Sequence, residues 1–250
     1  MKPRIRTRSF SVALASFVFV LGCGSASAQI PDKFTNLKVL PKNISKDDLL
    51  STMRGFSMAL GVRCEHCHFF QEATHHGDFA SDEKKQKSIA RGMLKMVKEI
   101  NGKLVPKAGV QDPVQVRCVT CHHGVTAPET LADVLKETIE KDGVPAAQPK
   151  YKELREKYYG SGAYDFRPAS LNAVAEWLAH DRKDVDGAIA TMQFSIETDP
   201  KVAESYAMLG HMQEAKGDKA AAIESYKKSL ELEPDNPRVQ QALEHAQARE

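Results

Sequence analysis

The sequence has no second long apolar stretch and no strong excess of one charge. Its one extended apolar run, residues 11–21, is shorter than the about 20 residues that a membrane-spanning helix needs, so we expect no transmembrane helix in the mature chain. The formal net charge is +2, and the first 28 residues carry four basic and no acidic side chains, which leaves −2 for the remainder. This balance gives no support to a nucleic-acid partner.

Cysteine is also scarce, with five residues in a chain of 250, of which one lies within the first 28. The other four form two pairs with the same spacing, so no thiol remains for a disulfide framework. Each pair has the pattern Cys-x-x-Cys-His, which is the c-type haem attachment motif. The residues are Cys64, Cys67 and His68 in the first copy, and Cys118, Cys121 and His122 in the second.

The spacing within these motifs has a chemical reason. Two cysteines three positions apart on a helical turn point the same way, so each can form a thioether to a haem vinyl group, while the adjacent histidine binds the iron as proximal ligand. A zinc site, a thioredoxin-like redox pair and a disulfide also use Cys-x-x-Cys. Neither copy follows a convincing strand, however, and a zinc site does not explain a histidine after both second cysteines. We therefore predict two covalently bound haem c groups.

The first 28 residues have the pattern of a secretory signal peptide, with a basic start, an apolar centre and the cleavage signature Ala26-Ser27-Ala28. We expect export to the periplasm. An alternative cleavage before Cys23, within Val20-Leu21-Gly22-Cys23, would leave a lipoprotein anchored through that cysteine. The Ala-Ser-Ala site is the cleaner of the two signals.

A haem iron that only transfers electrons needs a second axial ligand, usually methionine or histidine. Before the first motif, Ser45 and Gly61 bracket a predicted helix of about four turns. Met53 lies within the apolar stripe of this helix, whereas Met58 is about 140° away round its axis. Met53 is the better distal ligand candidate, although a methionine on an apolar face often only fills the core.

Before the second motif, Asp82 is a candidate N-cap for a helix that runs to about residues 101–102. Met93 and Met96 share its apolar face, and periodicity does not choose between them. Histidines are weaker candidates for distal ligands, because most of them lie in or beside polar loop stretches. These are His66, His75, His76 and His123.

The haem segments resemble the cytochrome c subunit of photosynthetic reaction centres, in which a methionine-bearing helix precedes each Cys-x-x-Cys-His. The matching residues are Leu50-Ser51-Thr52-Met53, residues 93–101, and residues 118–124, over roughly residues 37–128. The resemblance implies Met53 and Met96, rather than Met93, as distal iron ligands. The reaction-centre subunit carries four haems and this chain has two motifs, so the chain looks like half of it, as in many exported cytochromes of non-photosynthetic bacteria.

The C-terminal part contains a repeat. Residues 169–202 and 203–236 align at a period of 34, which pairs Ala188 with Ala222 and Pro200 with Pro234. This period and the residues of the second copy resemble tetratricopeptide (TPR) repeats. Such units bury their apolar faces on neighbours, so we expect them to lean on the preceding connector, on the haem domain or on another subunit. They would either dock a protein partner, through binding or self-association, or cap the structure.

We therefore expect a mainly α fold in four parts: a signal peptide (1–28), a two-haem cytochrome c domain with extended loops (29–128), a helical connector (129–168) and a TPR-like domain (169–250). The expected function is electron transfer between redox protein partners, such as a membrane respiratory or photosynthetic complex. The rival is a two-haem peroxidase-type enzyme with an open haem. It is disfavoured because we find no placed acid–base pair for it.

Overall fold

The computed structural model describes residues 31–71, 77–109 and 111–248. The predicted leader with Cys23, and also His75 and His76, lie outside the described residues. As predicted, the fold is mainly α, and the one sheet among the described residues is a hairpin of β1 (Phe69–Phe70) with β2 (Gly77–Asp78). None of the described helices is long and apolar enough to cross a membrane.

The helices fall into two sequential groups. The haem-motif part contains α1 (Lys46–Leu60), α2 (Lys85–Glu99), α3 (Val105–Lys107) and α4 (Cys118–His122), with a 3₁₀ turn at Cys64–His66 and a π turn at Ile100–Leu104. The remainder contains α5 (Leu131–Asp142), a 3₁₀ turn at Val144–Ala146, α6 (Ala147–Tyr158), α7 (Pro168–His180), α8 (Val185–Thr198), α9 (Ala203–Lys216), α10 (Lys219–Leu232) and α11 (Pro237–Ala248).

Helix α1 has both of its predicted ends. The Ser45 hydroxyl accepts a hydrogen bond from the Asp48 N–H at 3.1 Å, which satisfies one of the free N–H groups of the first turn. The helix ends at Gly61, whose φ of 64° is left-handed and therefore suited to glycine. These caps fix the length of the helix that carries Met53.

Helix α2 differs from the prediction at both ends. Its N-cap is Lys84 rather than Asp82, because the Asp82 carboxylate is held by cations, at 2.6 Å from Lys38 and 2.8 Å from Arg91. Nor does the helical backbone stop at residues 101–102, since the π turn carries it on into α3. A π turn is often found at functional positions in a helix.

The second attachment motif packs on α1. The N–H of Gly124 donates to the Ala59 carbonyl oxygen at 2.8 Å, and Val125 beside it is buried. The backbones approach so closely that a Cβ on Gly61 would overlap the Gly124 carbonyl oxygen. The end of α1 is therefore fixed against the residues that follow His122.

The C-terminal helices form the predicted repeat. Asp184 and Asp218 each cap a helix, accepting from the N–H groups of Gly187 at 2.8 Å and Ala221 at 3.1 Å. Successive helices from α7 to α11 pack on one another, and Tyr226 is fully buried between α9, α10 and α11. TPR-like helical hairpins are thus confirmed.

The connector helices α5 and α6 share one hydrophobic core with α7, α8 and α9. Leu135, Val174 and Met192 are fully buried in it, and Tyr151 packs edge-on against Phe194 with ring centroids 5.3 Å apart. A repeat of this kind cannot bury its apolar face alone. The connector supplies the missing cover on one side.

We predict that Gly61→Ala destabilises the protein by at least about 1–2 kcal/mol, because alanine is strained at a left-handed φ and its methyl group would overlap Gly124. The matched control is Gly55→Ala in the same helix, where nothing lies within 4 Å. That change should stabilise the helix by about 0.5–1 kcal/mol. Denaturant unfolding of both variants checks the pair, and equal effects would contradict the packing described.

Candidate functional site

The first attachment motif borders a cavity of about 630 Å³. Met53 of α1 and three residues of the motif, Cys64, Cys67 and His68, all line it. The structure therefore brings together four residues that the sequence assigned to one site, although they come from two separate elements. Apolar side chains complete the lining, among them Leu49, Phe56, Leu60, Ala90 and Leu94.

His68 is held in an apolar environment. Its ring lies 5.1 Å from that of Phe79, centroid to centroid, and Phe79 in turn meets Phe70 edge-on at 5.7 Å. Burial lowers the pKa of His68, which favours the neutral imidazole that binds a metal. Its Nδ1 is buried and has no hydrogen-bond partner among the described residues. Burial also raises the pKa of the Cys67 thiol.

The charges around this cavity have one predominant sign. Among the described residues that line it, Asp78 is the one carboxylate, whereas the basic residues are Lys33, Lys38, Arg54, Arg63, Lys87 and Arg91. An apolar space with a basic surround fits a large apolar ring that carries negative groups. A haem has this chemistry, since its macrocycle is apolar and its two propionates are carboxylates. The residues present therefore fit a haem at the first motif.

The second motif forms α4, in which Cys118 is half-buried and Cys121 is exposed. The Nδ1 of His122 lies 3.0 Å from the Val125 carbonyl oxygen and donates its hydrogen to it. A backbone acceptor at Nδ1 leaves the other ring nitrogen free for a metal, which is the usual arrangement around an axial histidine. The arrangement is compatible with His122 as a proximal ligand.

Helix α2 has two different faces. Lys87, Ala90, Arg91 and Leu94 line the first cavity. A second face carries the apolar side chains Ile89, Met93 and Met96, which are 59%, 40% and 47% exposed. Large exposed apolar side chains in a row indicate a surface that another apolar group covers. Because both methionines are exposed to a similar degree, the structure does not choose between Met93 and Met96.

Asn101 links this helix to the second motif, and sequence reasoning gave it no role. Its side-chain amide donates to the Val116 carbonyl oxygen and accepts from the Val116 N–H, both at 2.8 Å. Val116 lies two residues before Cys118, so this pair of bonds fixes the approach to α4. The signal in the sequence was an asparagine near a predicted helix end, where its side chain is free to bond backbone groups.

The remaining ligand candidates that the structure describes are not among the residues that line the first cavity. Met58, on the other side of α1, is 80% exposed. His66 lies in the 3₁₀ turn of the first motif, and His123 is the exposed C-cap of α4 with a φ of 47°. Within the described ranges no disulfide joins the four cysteines, and no three His, Cys, Asp or Glu side chains converge as a metal-ion cluster.

Two attachment motifs on short helical turns, each preceded by a methionine-bearing helix, define a c-type cytochrome. The chain belongs to the family of the photosynthetic reaction centre cytochrome C subunit, whose model matches residues 25–227. Membership of this family implies covalently bound haem c. The resemblance that the sequence suggested is confirmed.

Among curated proteins the chain is similar to cytochrome c-554 of Chloroflexus aurantiacus, with 39% identity over 75 residues. The match covers 30% of this chain and 16% of that protein, so the chain spans a small part of its relative's length.

Solved structures with related helices include the first TPR of Spaghetti (RPAP3) bound to an HSP90 peptide, at 24% identity and a TM-score of 0.32. That match covers 47% of this chain and 91% of the other. A second is the C-terminal TPR-containing domain of a Plasmodium falciparum FK506-binding protein, at 19% identity and a TM-score of 0.30, with 48% and 85% covered.

We predict that Asn101→Ala lowers the free energy of unfolding by about 1–3 kcal/mol, because it leaves the half-buried N–H and carbonyl of Val116 without their partner. Asn101→Asp should lower the free energy of unfolding by a smaller amount, since aspartate still accepts from the Val116 N–H but cannot donate to the Val116 carbonyl oxygen. Lys103→Ala, which breaks only an exposed ion pair with Glu99, is the control and should cost under about 1 kcal/mol. Denaturant unfolding measures all three, and an Asn101→Ala effect no larger than the control would contradict the role given to Asn101.

Proposed function

We propose that this chain is an exported cytochrome with two haems that passes electrons between redox protein partners. The observation that carries the proposal is the convergence of Met53, Cys64, Cys67 and His68 on one apolar cavity with a basic surround. The second motif repeats the same order of elements, a methionine-bearing helix followed by Cys-x-x-Cys-His. Two copies of the arrangement support two haems.

The proposed roles follow the chemistry of each side chain. Thioether bonds to the haem vinyl groups would come from Cys64, Cys67, Cys118 and Cys121. His68 and His122 would be the proximal iron ligands, while Met53 and Met96 would be the distal ones. The haem, when bound, supplies an iron couple that accepts and releases one electron. The chain's part is to hold two axial ligands in place, and the methionine among them raises the reduction potential.

Helix α2 would also connect the two haem sites. One of its faces lines the first cavity, and the methionine-bearing face would meet the second haem. The sites would then be separated by about one helix diameter, on the order of 10 Å. Such a separation gives an electron a short path between the two irons without any movement of the chain.

Export and docking have separate support. The signal-peptide pattern agrees with a family that is generally extracytoplasmic. The TPR-like helices provide a rigid surface of the kind that binds proteins. A membrane respiratory or photosynthetic complex is the proposed partner, and self-association through the same helices is the alternative.

We predict that Met53→Ala and Met96→Ala each open one haem without loss of either cofactor, because the thioethers remain. Each variant should bind carbon monoxide at one haem per chain and lose part of the methionine–iron(III) charge-transfer band. Met58→Ala and Met93→Ala are the matched controls on the same two helices and should leave both spectra unchanged. Absorption spectra of the oxidised, reduced and gas-treated proteins measure this.

Two outcomes would contradict these ligand assignments. If Met93→Ala opens the second haem and Met96→Ala does not, the distal ligand is Met93. If the wild-type protein itself binds carbon monoxide at one haem, an open site exists and the peroxidase-type alternative gains support.

We predict that removal of residues 129–250 abolishes association with the redox partner but leaves electron exchange with a small soluble mediator. The cut precedes α5 because a cut at residue 169 would expose the core that the connector shares with the repeats. Co-purification and stopped-flow reduction measure the two properties. Retained association would place the docking surface on the haem domain.

A further inference from the structure

Asp82 is surrounded by cations next to the first cavity. Its carboxylate lies 2.6 Å from the Lys38 ammonium, 3.4 Å from that of Lys87 and 2.8 Å from the Arg91 guanidinium. The Asn36 amide donates to it as well, at 2.9 Å. Lys38, then Arg91, hold the pKa of Asp82 well below its usual range. One carboxylate thus faces three cations, which leaves a local charge of about +2.

The ammonium group of Lys87 already has three partners in this cluster. Its ammonium donates to the carbonyl oxygens of Phe79 at 2.8 Å and Ser81 at 2.6 Å, besides the ion pair with Asp82. An ammonium has three N–H groups, so these partners use its capacity. Its role is to hold the loop that places the Phe79 ring against His68.

Arg91 and Lys38 each have N–H donors that can bind a further acceptor. The Arg91 guanidinium has five N–H groups, and its contacts within the described part of the chain, to Asp82 and to the Asn36 carbonyl oxygen at 3.3 Å, engage only Nη1 and Nη2. Its side chain is 17% exposed and lines the cavity. Lys38 also lines the cavity, and its bond to Asp82 uses one of three donors. Two cations are therefore oriented beside an apolar space and can each bind a further acceptor.

We propose that Arg91 and Lys38 bind a propionate of the haem at the first motif, and that Asp82 is the positioning residue that orients both cations. The inference rests on the proposed two-haem function. A second carboxylate at this place would meet unsatisfied N–H donors and offset part of the excess positive charge. The basic group would also determine which edge of the haem faces α2 and the segment around residue 38.

The cluster would affect the reduction potential of this haem. A net positive charge nearby favours iron(II) over iron(III), so the cations raise the potential and the Asp82 carboxylate lowers it. Removing a cation and removing the carboxylate should therefore shift the potential in opposite directions. If these residues had only a structural role, removing a cation and removing the carboxylate would shift the reduction potential in the same direction, because either change would weaken the packing around the haem.

The test is a spectroscopic redox titration of the purified full-length protein with haem counted per chain. Arg91→Gln and Lys38→Gln are expected to lower the midpoint potential of one haem and leave the other unchanged. Asp82→Asn is expected to raise the midpoint potential of the same haem. Arg91→Lys, which keeps the positive charge, should lower it less than Arg91→Gln does. Lys85→Gln removes a cation from an exposed position on the same helix and should change neither haem.

The inference is overturned if Arg91→Gln leaves both potentials unchanged, or if Asp82→Asn and Arg91→Gln shift the same haem in the same direction. The haem count separates this result from failure of the proposed function. Two haems per chain with unresponsive potentials reject the propionate contact alone. A wild-type chain without haem at Cys64 and Cys67 rejects both.

Discussion

The bond from the Gly124 N–H to the Ala59 carbonyl oxygen ties the second attachment motif to the end of the helix that precedes the first. The contact needs two backbones to approach without side chains between them, which Gly61 permits. Because α1 also carries Met53, one short interface determines where the distal ligand candidate of one site and the attachment helix of the other lie. The described residues of the haem-motif part have little other buried core, so this interface fixes much of its geometry.

Helix α2 borders the two candidate haem sites with its two faces and adds little to a buried core. Few of its side chains are well buried, and the polar side of one face is held by Asp82. The other face leaves apolar side chains at the surface, which is costly in water unless another group covers them. Both properties are explained if cofactors, rather than protein side chains, fill the space on either side. The C-terminal helices form a conventional core of their own, in which Leu135, Val174 and Met192 are buried.

Local signals in the sequence predicted the local structure well. Ser45 and Gly61 delimit α1, and the 34-residue period places the repeat helices, because caps and periodic packing depend on near neighbours. The prediction of Asp82 as an N-cap was wrong, since its carboxylate binds Lys38, which lies over forty residues earlier in the chain. The role of Asn101 was not predictable either, because its partner Val116 is defined only by the folded loop. Long-range polar contacts of this kind leave no periodic trace in a sequence.

We propose an electron carrier with two haems in which each iron is held by two protein ligands. The most direct measurement is an absorption spectrum of the purified wild-type protein, oxidised, reduced and reduced under carbon monoxide, with haem counted per chain. We expect two covalently bound haems, a methionine–iron(III) band and no response to the gas. A single haem, or a haem that takes up carbon monoxide, would contradict it.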